Sequence, residues 1–397
     1  MTGSSGPGAP GSMPLRVVLV SPPLDGSGGI GRLMSYVLER LDRAQITVRH
    51  LDTRGQSEYP LLSALTLLRA AATLVLLRVR GRVDVVHVNM SYRGSTIRKG
   101  VMAQVCRTMK IPMVLHLHTC EYEDFYRKLP SIFQRAIREM FQRADHVVVL
   151  GHVWESFVVD VLLVPRDRVT VLYNASPGPA ELPSGNAAST PEHVRLLFLG
   201  KLGTRKGVPE LLAALSRLRD LSSDWSITMA GNGEIDQARS LASELGIVER
   251  ITFTGWLDSP AVHDLLELSD ILILPSHEEG LPMAIVEAFA YGVAVIASSV
   301  GAIPEIVIDR ETGLLVKAGD VQGLAESIAA LCEDAALRRQ LAQAARKTWE
   351  SQLEIASYTE RLTPIWFAVH DRRRVGETSG TISILEARKN GVPAASG

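Results

Sequence analysis

The chain of 397 residues is 46% hydrophobic and 21% charged, enough apolar material for two domains with ordinary cores. A formal net charge of −1 excludes any global electrostatic case for nucleic acid. Three cysteines, Cys106, Cys120 and Cys332, are too few and too scattered for a disulfide framework, and point to a reduced, cytoplasmic compartment.

Residues 1–13 hold only small, uncharged and proline positions plus Met and Thr, without the basic start and apolar run of a signal peptide; they read as a disordered arm. A first unit, 14–178, alternates strand candidates at 15–21, 46–51, 84–89, 113–118, 146–150 and 169–172 with amphipathic segments such as 30–41 and 131–143. One segment, 61–79, is almost wholly apolar but broken by Arg69 and Arg78, marginal for a membrane span of about 20 residues. A packed helix is the simple reading and peripheral contact with a bilayer the alternative. The segment 179–191, rich in Pro, Ser and Gly, reads as a linker. A second unit, 192–352, repeats the pattern with strand candidates at 195–200, 226–230, 251–254, 271–274, 294–297 and 313–316. A further helix is expected at 353–370 and a disordered tail at 371–397. Val/Ile/Leu runs without alternation are buried on both faces, which is the property of parallel sheets covered by helices. The fold class is therefore α/β: two doubly wound, Rossmann-like domains facing across a cleft, with ligands outside the strand ends.

The chemistry-bearing motifs fall at those ends. After the first strand, Gly26-Ser27-Gly28-Gly29-Ile30-Gly31 lets backbone at Gly28 and Gly29 approach a phosphate or sugar without a Cβ. After the fourth comes His116-Leu117-His118, with His118 better placed to donate a hydrogen bond to a sugar or phosphate. Gly200-Lys201-Leu202-Gly203-Thr204-Arg205-Lys206-Gly207 places Lys201 and Lys206 where a diphosphate could be gripped, and Arg205 could stand in for either. Gly231-Asn232-Gly233 follows another strand and opens a helix, and Trp256-Leu257 follows a further one, where Trp256 or backbone borders a base.

The most specific motif, Ser276 to Ala288, follows a buried strand and opens a helix. Gly280 and Leu281 lead to Pro282, suited to a first helical turn, then Met283 and Ala284; free N–H groups and the helix dipole there make an anion site. Glu279 and Glu287 bracket it, one placed for sugar hydroxyls and the other for ribose hydroxyls. No Asp-x-Asp triplet occurs, so lysines and a helix terminus, with no metal, are expected to neutralise a diphosphate.

Taken together, Glu279 to Glu287 (E-x7-E) and Gly200 to Gly207 (G-K-L-x-x-x-K-G), with His118 and the Gly28-Gly29 loop, resemble retaining glycosyltransferase family 4, of GT-B fold. The family more often has Arg at the Lys201 position, and Lys makes a point contact where Arg makes a fork. The resemblance implies a nucleotide-diphosphate-sugar donor and a glycan, lipid-linked saccharide or small molecule as acceptor. It implies no cofactor and no metal. It further implies that Lys201 and Lys206 bind the diphosphate, assisted by backbone of Leu281, Met283 and Ala284 and by Gly29. Glu287 would bind ribose, while Glu279 and His118 would contact the donor sugar, with front-face attack and retention. Residues 91–99 and 120–128 would form the acceptor side, and a C-terminal helix at 358–368 would return to the first domain. The run His116 to Tyr126 is similar to members that build capsular or exopolysaccharide units on lipid carriers; Arg93, Arg98, Lys99, Arg107 and Lys110 would then face anionic lipid at the inner face of the plasma membrane.

Three alternatives stand beside this reading. A nucleotide-sugar epimerase of the same fold would need no acceptor. An NAD(P)-dependent oxidoreductase would use the first glycine loop with Asp52 on a ribose. A non-catalytic sugar-nucleotide binding module would show no turnover.

Overall fold

The β-branched runs form two six-stranded sheets in which every paired strand is parallel. The computed structural model describes residues 13–24, 28–55, 60–179, 193–218, 221 and 223–389. Most of the N-terminal arm, nearly all of the linker and the last eight residues lie outside them. The first sheet holds β1 (Leu15–Val20), β2 (Ile46–Leu51), β3 (Val85–Met90), β4 (Met113–Leu117), β5 (His146–Val149) and β6 (Val169–Val171), in the order β2-β1-β3-β4-β5-β6. The second holds β7 (His193–Leu199), β8 (Asp224–Ala230), β9 (Ile251–Gly255), β10 (Ile271–Leu274), β11 (Ala294–Ser298) and β12 (Leu314–Val316), in the order β12-β11-β10-β7-β8-β9. Central strands β3, β5, β10 and β11 are buried at every position. Edge strands β2 and β9 instead mix buried with exposed residues, because helices cover them incompletely.

Each sheet has a switch point where strand order reverses, between β1 and β3 and between β7 and β10. Crossovers leave in opposite directions there, which opens a crevice at the carboxyl ends of the strands. Helix α1 (Gly29–Arg40) leaves the first crevice, and the loop after β7 and the loop after β10 border the second. Helices α2 (Pro60–Val79), α3 (Gly94–Thr108) and α4 (Ser131–Gln142) follow one another across the first sheet. In the second unit, α5 (Met283–Ala290) carries the glutamate motif.

The chain returns to the first unit through α6 (Ile355–Lys389), which begins beside the isolated bridge between Ser176 and Glu354. Ile355, Tyr358, Leu362, Trp366 and Val369 recur at helical spacing and complete an apolar cluster with Leu15, Val17 and Leu33. A tail was expected from 371, yet the helix runs on to Lys389. Just past Asp371, Arg373 donates to both oxygens of Asp145 at 2.9 and 3.2 Å. The helix expected at 61–79 packs on one side only, through the buried Ala70, Leu74 and Leu77.

Candidate functional site

A cleft of about 450 Å³ lies between the two units at their switch points. Every side chain and glycine singled out for the site lines it: His118, Lys201, Lys206 and Glu279, then Gly28, Gly29, Gly200, Gly231, Trp256, Leu257, Gly280, Leu281, Pro282, Met283, Ala284 and Glu287. Helix α5 starts one residue later than Pro282, which caps it from an extended conformation. The first intrahelical bond is from Ile285 N–H to the Pro282 carbonyl, so the N–H groups of Met283 and Ala284 precede the helical ladder. Their partial positive charge faces the cleft that both residues line.

Cations stand opposite that helix end. Lys206 Nζ donates to Glu279 Oε1 in close contact, and Ser276 Oγ donates to the same oxygen at 2.8 Å. Glu279 is buried, whereas Lys201 is exposed to the cleft. The loops after β7 and β10 are tied together: His277 N–H donates to the Arg205 carbonyl at 2.9 Å, and Arg205 returns a bond to the Glu278 carbonyl at 3.2 Å. Gly207 takes φ +69°, and a Cβ there would stand 2.0 Å from the Pro275 carbonyl oxygen. Gly301, φ +58°, backs the other side, where a Cβ would lie 2.1 Å from the Glu279 carbonyl oxygen. The turn at 301–305 thus braces the glutamate loop, and Ala302 N–H donates to the Gly280 carbonyl at 3.1 Å.

Three residues that line or support the cleft were not legible in the sequence. Arg32, on α1, donates to Glu287 Oε1 and Oε2 at 3.3 and 3.1 Å. Tyr36, one turn on, donates to Oε1 at 3.1 Å, and its hydroxyl is held protonated by burial and by the Glu287 charge. Asn174, after β6, donates to the Leu281 carbonyl at 2.5 Å and so steadies the start of α5. Each joins the site from the first unit, and no local pattern marks a partner that far along the chain. Asp52 meanwhile accepts from Arg54 N–H and Gly55 N–H at 2.8 and 2.9 Å, capping its own turn instead of presenting a free carboxylate to a ribose. That engagement counts against the dinucleotide alternative.

His118 belongs to a buried chain of rings. Trp366 Nε1–H, from α6, donates to His87 Nδ1 at 2.9 Å, which puts the His87 proton on Nε2, facing His116 Nδ1 at 3.3 Å. The His116 and His118 rings lie 3.7 Å apart between centroids. His118 Nε2–H donates to Asn89 Oδ1 at 2.6 Å, leaving Nδ1 as an acceptor. The donor role expected of this ring is therefore reversed: its Nε2–H is already committed, and what it can offer a ligand is a lone pair. Burial pushes His118 down to about 3 and His87 to about 4, and His146 on β5 is likewise lowered to about 4.

A pH dependence follows from these depressed values. The unfolded chain protonates histidine near the ordinary 6.5, while the folded rings refuse the proton until about 4 or 3. Stability from these groups is present above 6.5 and is lost as pH falls through the window down to about 4. The thermal midpoint is expected to fall between pH 7 and pH 5, by on the order of 1–2 kcal/mol of stability for each of these rings. Calorimetry at the two pH values checks this, and an unchanged midpoint would contradict the buried neutral rings.

Residues 13–175 match the family model for the glycosyl transferase 4-like domain, and residues 186–348 match that for glycosyl transferases group 1. The chain is 32% identical over 267 residues to a glycogen synthase of Mycobacterium tuberculosis, covering 65% of this chain but only 63% of that relative's own length. In fold it resembles a sucrose-phosphate synthase from Thermosynechococcus elongatus, with a TM-score of 0.74 and 18% identity over 91% of this chain and 100% of the other. It also resembles Anabaena HepE, solved in complex with UDP-glucose, with a TM-score of 0.70 and 17% identity over 89% of this chain and 99% of that one.

Proposed function

Since the chain belongs to the group 1 glycosyl transferases, of family 4 and GT-B fold, we propose that it moves a sugar from a nucleotide-diphosphate sugar to an acceptor, with retention and without a metal. The observation that carries this reading is the pairing of Lys206 with Glu279 beside the amino end of α5. A diphosphate on that helix end meets Met283 and Ala284 N–H groups on one side and the Lys201 and Lys206 ammonium groups on the other. These charges favour the leaving diphosphate as negative charge develops on it. Lys201, Lys206, Arg32 and Arg205 all line the cleft, and with the helix end they supply counter-charge for a diphosphate.

Glu287 lies in the second turn of α5, on the side where the nucleoside would sit, and the half-exposed Trp256 borders the same cleft. The donor's C1–O bond to phosphate breaks as a bond from the acceptor hydroxyl forms on the same face, and the acceptor's proton passes to the departing phosphate oxygen. Glu279 then orients sugar hydroxyls and does not attack C1. Its Oε1 already accepts from Lys206 and Ser276, an arrangement that suits a fixed acceptor of hydrogen bonds better than a nucleophile. The neutral His118 ring supplies a lone pair to a sugar hydroxyl. UDP-glucose, bound by the Anabaena relative, is the first donor to try.

The test is transfer from a panel of nucleotide sugars in excess EDTA, with the product's anomeric configuration read by NMR. Full activity in EDTA and a retained configuration are expected. Loss of activity restored by a divalent ion, or an inverted product, would overturn the corresponding part of the proposal.

A further inference from the structure

A second cavity, larger than the cleft, opens on the first unit. A groove of about 1000 Å³ runs between α3 and α4, on the face of the first unit where α2 also lies. Its walls are apolar, with Ile97, Ala103, Phe125, Phe133, Ile137 and Met140 among them; Arg93 stands on its rim, and so do Arg107 and Arg143, which both pair with Glu139, at 3.9 and 2.5 Å. Ile97 and Phe133 are 72% and 57% exposed. The groove and the cleft share no lining residue, and Tyr92 lies between them. Arg93 lies over the Tyr92 ring at 5.0 Å, Tyr92 stacks edge-on against the groove residue Phe125, and the charge of the cleft residue Arg205 is felt at the Tyr92 hydroxyl.

Helix α2 flanks this groove through α3 and has two apolar faces. Ala70, Leu74 and Leu77 pack inward. Leu61, Leu65, Leu68, Val75 and Val79 recur at helical spacing on the other side, at 80%, 55%, 63%, 36% and 73% exposure. A helix apolar all round requires cover on both sides, and the domain supplies only one. The stretch is long and apolar enough to cross a bilayer by length and composition. Its inner face is part of the domain core, however, so it cannot leave the sheet to span one. The surrounding charge is one-sided. From Pro60 to Cys120 there are nine Arg and Lys residues and a single acid, Asp84, which pairs with Arg16. Among the basic residues assigned to lipid from the sequence, Arg93, Arg107 and Lys110 are exposed, but Lys99 is buried and donates to Thr53 Oγ1 at 2.6 Å, so it does not face outward.

We infer that α2 and the basic α2–α3 surface dock on an anionic lipid bilayer, and that the groove between α3 and α4 takes up one hydrocarbon chain drawn from it. The exposed leucines supply apolar area to bury among acyl chains, and the arginines and lysines supply attraction to the lipid phosphates. A chain seated in the groove would deliver its head group to the acceptor side of the cleft. The acceptor class is therefore lipid-linked, a conclusion that rests on the transferase reading, whereas the docking itself does not.

Vesicle co-sedimentation tests the docking without any turnover. Wild-type protein is expected to pellet with 1:1 phosphatidylglycerol–phosphatidylcholine vesicles and at least tenfold less with pure phosphatidylcholine, and 0.5 M NaCl should release it. The double variant L65E/L68E, altered only at exposed positions, should lose binding by at least tenfold with an unchanged thermal midpoint. Wild-type protein that stays in the supernatant, or a double variant that pellets like wild type, would overturn the inference. So would a wild-type dimer in sedimentation velocity that L65E/L68E turns monomeric, since the face would then be covered by a second copy. For the groove, dodecyl phosphate below its micellar concentration should bind by calorimetry and bind at least tenfold more weakly to A136W, which fills the slot from an exposed position; no binding to wild type would remove the chain from the proposal.

Discussion

Replacing Lys206 by Ala is expected to lower kcat/KM by about 10³-fold while the far-ultraviolet circular dichroism spectrum stays unchanged. Two effects add. The ammonium group is one of the few full charges able to meet the leaving diphosphate, and losing one well-placed donor to a developing anion costs about 10²–10³-fold, or roughly 3–4 kcal/mol. Lys206 also holds Glu279, which is buried and otherwise bonded through its carboxylate to Ser276 Oγ at 2.8 Å. Without its cation that carboxylate loses its fixed orientation toward the sugar. Stranding a buried charge is also destabilising, so the thermal midpoint should fall, without loss of the fold because Ser276 remains. Lys206→Arg keeps the charge but replaces a point donor by a planar fork, and should recover only part of the rate. Steady-state kinetics with the best donor decide the matter; a K206A enzyme as fast as wild type would remove the diphosphate from this loop.

Glu287→Ala should weaken binding of the nucleoside diphosphate by about 10²-fold, the loss expected when two hydrogen bonds to a charged acceptor disappear. Glu287 is fully buried and its oxygens already engage Arg32 and Tyr36 across the cleft. A carboxylate has about four acceptor positions, and the two hydroxyl and guanidinium partners occupy three of them here, so ribose must share the group or displace Arg32. The variant also strands the Arg32 guanidinium, whose side chain is only 15% exposed. Titration calorimetry on E287A alongside R32A separates the two consequences. A loss in E287A alone assigns the carboxylate to ribose, whereas wild-type affinity in E287A would mean that Glu287 serves only to join the two units.

Much of this was legible before any coordinate was known. The twelve strands fall where β-branched runs place them, most plainly in the central strands β3, β5, β10 and β11, where burial on both faces leaves runs without alternation. Glu279, Lys206 and the glycines were legible too, since a loop at a strand end needs small residues to turn and charged ones only if something charged comes near. The C-terminal helix declared its inner face through Tyr358, Leu362 and Trp366, but the pairing of Arg373 with Asp145, far away in the chain, was not legible.

The amino-acid sequence by itself determined the two parallel sheets, the loops at their strand ends and the acidic and basic side chains those loops carry, because each is written in residues close together along the chain. Only the tertiary structure decided that Arg32 and Tyr36 would meet Glu287, that Trp366 would reach His87, and which face of α2 would be left uncovered. A hydrophobic period states that a face is apolar without stating what lies against it; that is settled when separate elements pack, by contacts between residues hundreds of positions apart.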